Sequence, residues 1–113
     1  MRPIGGDILK GNTLTIILSL LEQQPMYGFQ IAKEVERRSA GTFAFREGLL
    51  YPALHQLEKE GLVEGEWQRS NQGPRRKYYS LTRKGKREAE RLRKRWLVFS
   101  AAVNQVLGGR SAD

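Results

Sequence analysis

Pro52 stands inside an amphipathic stretch and limits what that stretch can become. Residues 47–61 read E-G-L-L-Y-P-A-L-H-Q-L-E-K-E-G. Leu50, Ala53, Leu54 and Leu57 fall at the i, i+3, i+4, i+7 spacing of a helix with one buried stripe. Proline has no N–H to give the carbonyl of Gly48, so the helix is expected to begin close to Gly48, with Pro52 ending its first turn. Gly61 supplies a stop. The opposite face carries Gly48, Pro52, His55 and Lys59, flanked by Tyr51 and Gln56. Such a small, polar, uncharged-to-basic face suits insertion into a groove. It suits the surface of a helical bundle equally well, and the neighbouring sequence has to decide.

Upstream, residues 13–24 read as a helix stopped by Pro25. Leu14, Ile17, Leu18 and Leu21 form one stripe, while Ile16 and Leu20 lie on nearly the opposite face and ask for a second partner, such as another subunit. A second helix opens at Met26-Tyr27-Gly28 and runs to about Arg38, with Gly28, Ile31, Ala32 and Val35 inward. Residues 39–46 form a connecting loop holding Phe43 and Phe45, and residues 1–11 read as a loose, glycine-containing arm. After Gly61 the period changes. Residues 62–69 and 76–81 are short runs with aromatic and apolar content, separated by the turn formers S-N-Q-G-P-R, which predicts a hairpin. Thr82 then has the properties of an N-cap. Beyond it Gly85, Ala89, Leu92, Trp96, Phe99, Val103 and Val106 alternate at spacings of four and three, a heptad seam on a long helix that Gly108-Gly109 ends.

At 113 residues the chain makes one domain with, at most, an appended element. Its net charge of +8 is unevenly spread: between residues 69 and 95 the only carboxylates are Glu88 and Glu90. Such a block points to a polyanion or an acidic membrane surface. Cysteine is absent and His55 is the only histidine, so no disulfide, thiolate metal site or histidine cluster can form, and neither metal nor cofactor is expected. A serine triad would have to use His55, and no G-x-S-x-G turn, P-loop or dinucleotide fingerprint is present. The chain therefore reads as a non-enzyme with no catalytic residues. With no secretory-type start and no apolar run of spanning length, it also reads as soluble, cytoplasmic and free of membrane.

Helix, helix, helix, hairpin is the order of a winged helix-turn-helix, here a mainly α fold with a two-stranded hairpin and a long C-terminal helix. In that architecture the third helix enters the major groove and the wing touches the flanking backbone. The wing tip would be Gly73, Pro74, Arg75, Arg76 and Lys77. Residues 1–81 are expected to form the DNA-binding domain, and 82–113 a dimerisation helix and tail. Two other classes use the same fold: a protein-interaction winged helix, and a double-stranded RNA binder exploiting the same basic wing.

Three stretches carry a resemblance to the PadR family of bacterial transcriptional regulators: Y-G-F-Q-I at 27–31; E-G-L-L-Y-P-A-L at 47–54, with Leu57-Glu58 and Gly61-Leu62-Val63; and G-P-R-R-K-Y-Y-S-L-T at 73–82, with Lys84-Gly85. The resemblance implies a homodimeric repressor that binds double-stranded DNA, of the short type with a single C-terminal helix. With the outward face of the third helix and the basic wing, it gives the expected DNA contacts as Tyr27, Gly48, Tyr51, Pro52, His55, Gln56, Lys59 and the wing tip; Tyr51 and Pro52 carry over from the resemblance as the groove-facing pair. Leu49 stands where the family commonly has threonine, which removes a hydroxyl. The dimer contacts would be Ile16, Leu20, Ala89, Leu92, Trp96, Phe99, Val103 and Val106. Short members can hold a small molecule against an aromatic of the last helix, which makes Trp96 the candidate for a planar aromatic inducer; packing alone also explains a tryptophan in an apolar seam.

Overall fold

The computed structural model describes residues 11–69 and 73–108. Among them the chain runs α1 (Thr13–Leu21), β1 (Met26–Tyr27), α2 (Gly28–Arg38), α3 (Glu47–Lys59), β2 (Val63–Gln68), β3 (Arg76–Leu81) and α4 (Arg83–Val106). The strands form one antiparallel sheet in the order β1-β3-β2. This is a winged helix with a third strand. Met26 and Tyr27 do not open the second helix; they pair with Tyr79 and Tyr78, and α2 starts only at Gly28. Two residues are too few to display a period, and their partners lie some fifty positions away, so local sequence favoured the helix.

The core gathers one stripe from each helix: Ile17, Leu18 and Leu21 of α1, Ile31 and Val35 of α2, and Leu50, Leu54 and Leu57 of α3. Met26, Leu62, Val63, Tyr79 and Leu81 close it from the sheet side. Leu20 is only 5 % exposed in the single chain. Helix α1 is covered on that side by Val35, Phe43 and Trp96, which border the same cleft as Ile16 and Leu20. Leu20 therefore needs no second subunit to leave water, contrary to what the two-sided stripe suggested. Ala89 is likewise buried, at 1 %. The start of α4 lies on the chain's own core, so the seam faces outward only farther along.

Glycine does specific work at two joints. Gly61 (φ +74°) ends α3 in a Schellman motif: its N–H donates to the Glu58 carbonyl at 3.1 Å and the Leu62 N–H donates to that of Leu57 at 2.9 Å. Gly85, in the first turn of α4, lies so close to the Leu62 carbonyl that a β-carbon there would overlap it. Thr82 caps the helix by accepting from the Gly85 N–H at 3.0 Å, and its hydroxyl donates to the Gly61 carbonyl at 2.6 Å. Lys84 donates to the Glu60 carbonyl at 2.9 Å, and Arg93 pairs with Glu22 at 3.2 Å. These contacts fix the direction in which α4 leaves the body. From Trp96 on it carries exposed apolar side chains: Leu97, Val98, Phe99, Val106 and Leu107 all face solvent. No helix among the described residues is long and apolar enough to cross a membrane.

Candidate nucleic-acid interface

Helix α3 begins one residue earlier than its proline suggests. Leu49 and Leu50 both donate to the Arg46 carbonyl, at 2.9 and 2.8 Å, so Glu47 is the first helical residue and Pro52 falls in the second turn. Gly48 is exposed with open space beside it, where water can satisfy the carbonyl that Pro52 leaves without a donor. Glu47 in the first turn and Lys59 in the last complement the helix dipole. Leu50, Leu54 and Leu57 turn inward, and Gly48, Pro52, His55 and Lys59 are exposed along the other side. Leu49 is half-buried and packs on the core of its own chain.

The expected contact residues are not equally free. Tyr51 is partly exposed, and its ring leans on Gly28 at the start of α2. Gln56 donates its amide to Glu60 at 2.9 Å, one turn along the helix. The basic triplet of the wing is divided by the strand pleat. Lys77 shares a face with Tyr79 and Leu81, whereas Arg76 shares the other with Tyr78. Arg76 stacks over the Tyr27 ring at 4.5 Å and donates to the Tyr27 hydroxyl at 3.1 Å, while Tyr27 meets Tyr78 edge-on at 5.2 Å. Arg75 is exposed, as are Gly73 and Pro74, and its guanidinium lies 5.6 Å from the centre of the Trp67 ring. Lys77 turns inward instead. Its ammonium pairs with the Glu58 carboxylate of α3 at 3.0 Å, a hydrogen bond that holds its pKa above the ordinary lysine value.

A cleft of about 490 Å³ separates α3 from the wing. Tyr51 and His55 border it from the helix, Trp67, Arg75, Arg76 and Lys77 from the wing, and Tyr27 and Phe29 from the floor. No carboxylate lines it among the described residues. Phe29 and Trp67, 61 % and 57 % exposed, were not among the residues expected from sequence. The signal was available for Trp67, since an aromatic in a hairpin arm beside a basic turn has little core to reach. For Phe29 the signal was also there, because it lies off the inward stripe of Gly28, Ile31, Ala32 and Val35. Turn residues 70–72 lie outside the described residues, as do the N-terminal arm to Lys10 and Gly109.

The second cleft, about 500 Å³, lies on the other side of α1. Ile16, Leu20, Val35, Phe43 and Trp96 give it apolar walls, and Gln23 and Arg38 a polar rim. Trp96 is 43 % exposed, with the Phe99 ring 5.7 Å away. Phe99, Val103 and Val106 extend the seam beyond it along exposed helix, and Leu92 is half-buried.

The sequence pattern of the transcriptional regulator PadR-like family matches residues 17–91. A PadR-like transcriptional regulator of Bacillus cereus, known as a crystal structure, is 36% identical; the match covers 92% of this chain and 99% of that one, with a TM-score of 0.79. A transcriptional regulator from Clostridium thermocellum is 29% identical over 90% of this chain and 96% of that one, also at a TM-score of 0.79. An uncharacterized protein of Lysinibacillus sphaericus shares 30% identity over 106 residues, 94% of this chain and 97% of its own.

Proposed function

The chain belongs to the PadR-like family of transcriptional regulators, and from that premise we propose that it is a sequence-specific DNA-binding repressor, acting in the cytoplasm as a homodimer whose operator affinity is lowered by a small molecule. The observation that carries the DNA reading is the carboxylate-free cleft between α3 and the wing. With α3 in the major groove and the wing over the adjacent minor groove, one sugar-phosphate strand has to pass between them. Arg75 and Arg76 then meet phosphates, and the exposed faces of Phe29 and Trp67 meet sugar. Such contacts set register, and base reading falls to the outer face of α3 through Tyr51, Pro52, His55 and Gln56, once Gln56 exchanges Glu60 for a base edge.

The homodimer is supported by the bare apolar segment from Trp96 to the end of α4, because a solitary chain gains nothing by holding Val98, Phe99 and Val106 in water. Division of the chain at residue 82 follows this function more than the packing, since Gly85 and Ala89 belong to the core. The Trp96 cleft is the seat assigned to a planar aromatic inducer.

The test is duplex binding as a function of salt, on the protein's own upstream region and on random duplex. Arg75→Ala or Arg76→Ala should weaken both alike and flatten the slope of log K against log salt by about one unit for each phosphate left unneutralised across the two subunits. Absence of salt-dependent duplex binding would favour a protein-interaction role. A preference for A-form RNA duplex would favour the RNA reading.

A further inference from the structure

We propose that Lys77 and Glu58 form a positioning contact that sets the wing against the recognition helix, and that Lys77 is not one of the phosphate contacts. The proposal rests on the reading of α3 and the wing as the duplex-binding pair, and assigns their relative placement to one ion pair. Lys77 Nζ lies 3.0 Å from Glu58 Oε1, and both side chains are partly shielded, at 23% and 34% exposure. The lysine stem crosses the inner face of the sheet over Gly65, where a β-carbon would overlap its Cε. Gly65 stands opposite Tyr79 in register, and the ammonium lies 5.3 Å from the centre of the Tyr79 ring. Lys77 borders the cleft between α3 and the wing, and three separate features hold its ammonium on Glu58 there: an absent side chain on β2, an aromatic surface on β3 and an anion on α3.

A hairpin arm hinged at its base swings by ångströms at its tip under small changes of twist. A contact reaching from the last turn of α3 to the wing removes that freedom. Arg75 and Arg76 then present their guanidinium groups at a fixed distance from the groove-facing helix. Preorganisation of this kind raises affinity for the spacing that fits and contributes little on duplex that does not.

Opposite signs separate this role from a direct one. If Lys77 reached phosphate, Glu58→Gln would remove a nearby repulsive charge and leave operator binding unchanged or stronger. As a positioning contact, its removal should lower the ratio of operator to random-duplex affinity by about tenfold while random binding holds or rises. Gly65→Ala makes the same test with no change in charge, by displacing the lysine stem. Lys77→Met, which keeps the stem, should lower the ratio and leave the salt slope within about half a unit of wild type, against roughly two units if each subunit gave up one phosphate. The exchange Glu58→Lys with Lys77→Glu should recover part of the ratio.

A distance measurement answers the same question without DNA. The chain has no cysteine, so spin labels at His55→Cys and Gln68→Cys, diluted into unlabelled protein, report the helix-to-wing separation within one full-length chain. The distribution should be narrow with Glu58 and broaden with Glu58→Gln and with Gly65→Ala. An unchanged distribution in both variants overturns the proposal, as does a salt slope that falls in Lys77→Met. A wild-type protein that binds no duplex yet shows the narrow distribution broadening on cue would overturn the DNA reading and leave the positioning contact standing.

Discussion

The ring of Tyr51 rests on Gly28, so close that a β-carbon at position 28 would sit 2.6 Å from its hydroxyl oxygen and 2.8 Å from a ring carbon. This contact joins the third helix to the first turn of the second, and it determines where the tyrosine edge stands on the side of the helix proposed to face the groove. Gly28→Ala should therefore act on recognition more than on stability. The ring is the mobile end of a side chain and can swing aside, and alanine is the better helix former, so the melting free energy should change by less than about 1 kcal/mol. Operator affinity should fall roughly tenfold, and the effect should vanish in a Tyr51→Ala background, where the two substitutions share one contact. Anisotropy titrations on the four proteins of that cycle decide it; equal losses with and without Tyr51 would show the ring position to be irrelevant.

Much of this arrangement was legible in the sequence, wherever a local period or a single-residue rule sufficed. The Leu50-Leu54-Leu57 stripe, the stop at Gly61 and the Thr82 cap each follow from neighbours within one or two turns. What was not legible depends on distant pairing. β1 exists only because Met26 and Tyr27 find Tyr79 and Tyr78. Lys77 reads as a surface charge until Glu58, nineteen positions away, and the vacancy at Gly65 are placed beside it. Leu20 reads as unpartnered until α4 folds back on α1 and brings Trp96 with it.

Ala40 holds φ at 50°, in the left-handed region, at the end of α2. It occupies the position after the cap in a Schellman-type turn, with its N–H donating to the Arg37 carbonyl at 3.2 Å and that of Gly41 to Glu36 at 2.8 Å. An L-residue in this conformation costs about 1–2 kcal/mol, which glycine avoids while adding entropy to the unfolded chain. Ala40→Gly should raise stability by roughly 0.5–1 kcal/mol, read as a higher urea midpoint at fixed protein concentration. A lower midpoint would mean that the turn is held by other forces.

Hydrogen bonds from Arg37 and then Arg38 lower the Glu34 pKa from 4.5 to about 2. A carboxylate with a folded pKa below its unfolded one adds stability that is present above the unfolded value and is lost as pH falls through the folded value. Its share should therefore be intact at pH 5 and should fade between pH 4.5 and about 2. Carboxyl NMR should show Glu34 titrating near the bottom of that window, and Arg37→Gln should move it upward. A midpoint near 4.5 in the unaltered protein would rule out the fork of arginines in solution.

Cutting the chain after Lys94 separates the packed part of α4 from its bare part. Gly85, Ala89 and Leu92 remain on the core, so the remaining domain should keep its fold. Trp96, Phe99, Val103 and Val106 are removed. Sedimentation should then report a dimer for the full chain and a monomer for the shortened one, and a stable dimer of the shortened chain would place the subunit interface elsewhere.

Trp96 divides a ligand seat from plain packing. Its ring borders the cleft behind α1 together with Ile16, Leu20 and Phe43, a surface on which a flat aromatic compound can stack. The run Arg93-Lys94-Arg95 suggests a field that draws anions, but Arg93 is paired with Glu22 at 3.2 Å and Lys94 with Glu90 at 3.0 Å. Arg38 on the rim is likewise bound to Glu34 at 2.9 Å, which leaves Arg95, so planar cations should bind about as well as planar carboxylates, with cation–π attraction adding to stacking. Binding alone shifts nothing. The compound has to favour a dimer whose two recognition helices no longer match the operator spacing, in proportion to its preference for that geometry. The chain has two tryptophans, so Trp67→Phe leaves Trp96 as the one indole, read selectively by excitation at the red edge of its absorption. A planar dye should quench that variant and release operator over the same concentration range. In Trp96→Phe the release should move to higher dye concentration, with dimerisation kept. If a broad aromatic panel neither quenches the Trp67→Phe protein nor frees its DNA, while Trp96→Phe dimerises and binds operator normally, the indole is there for packing alone.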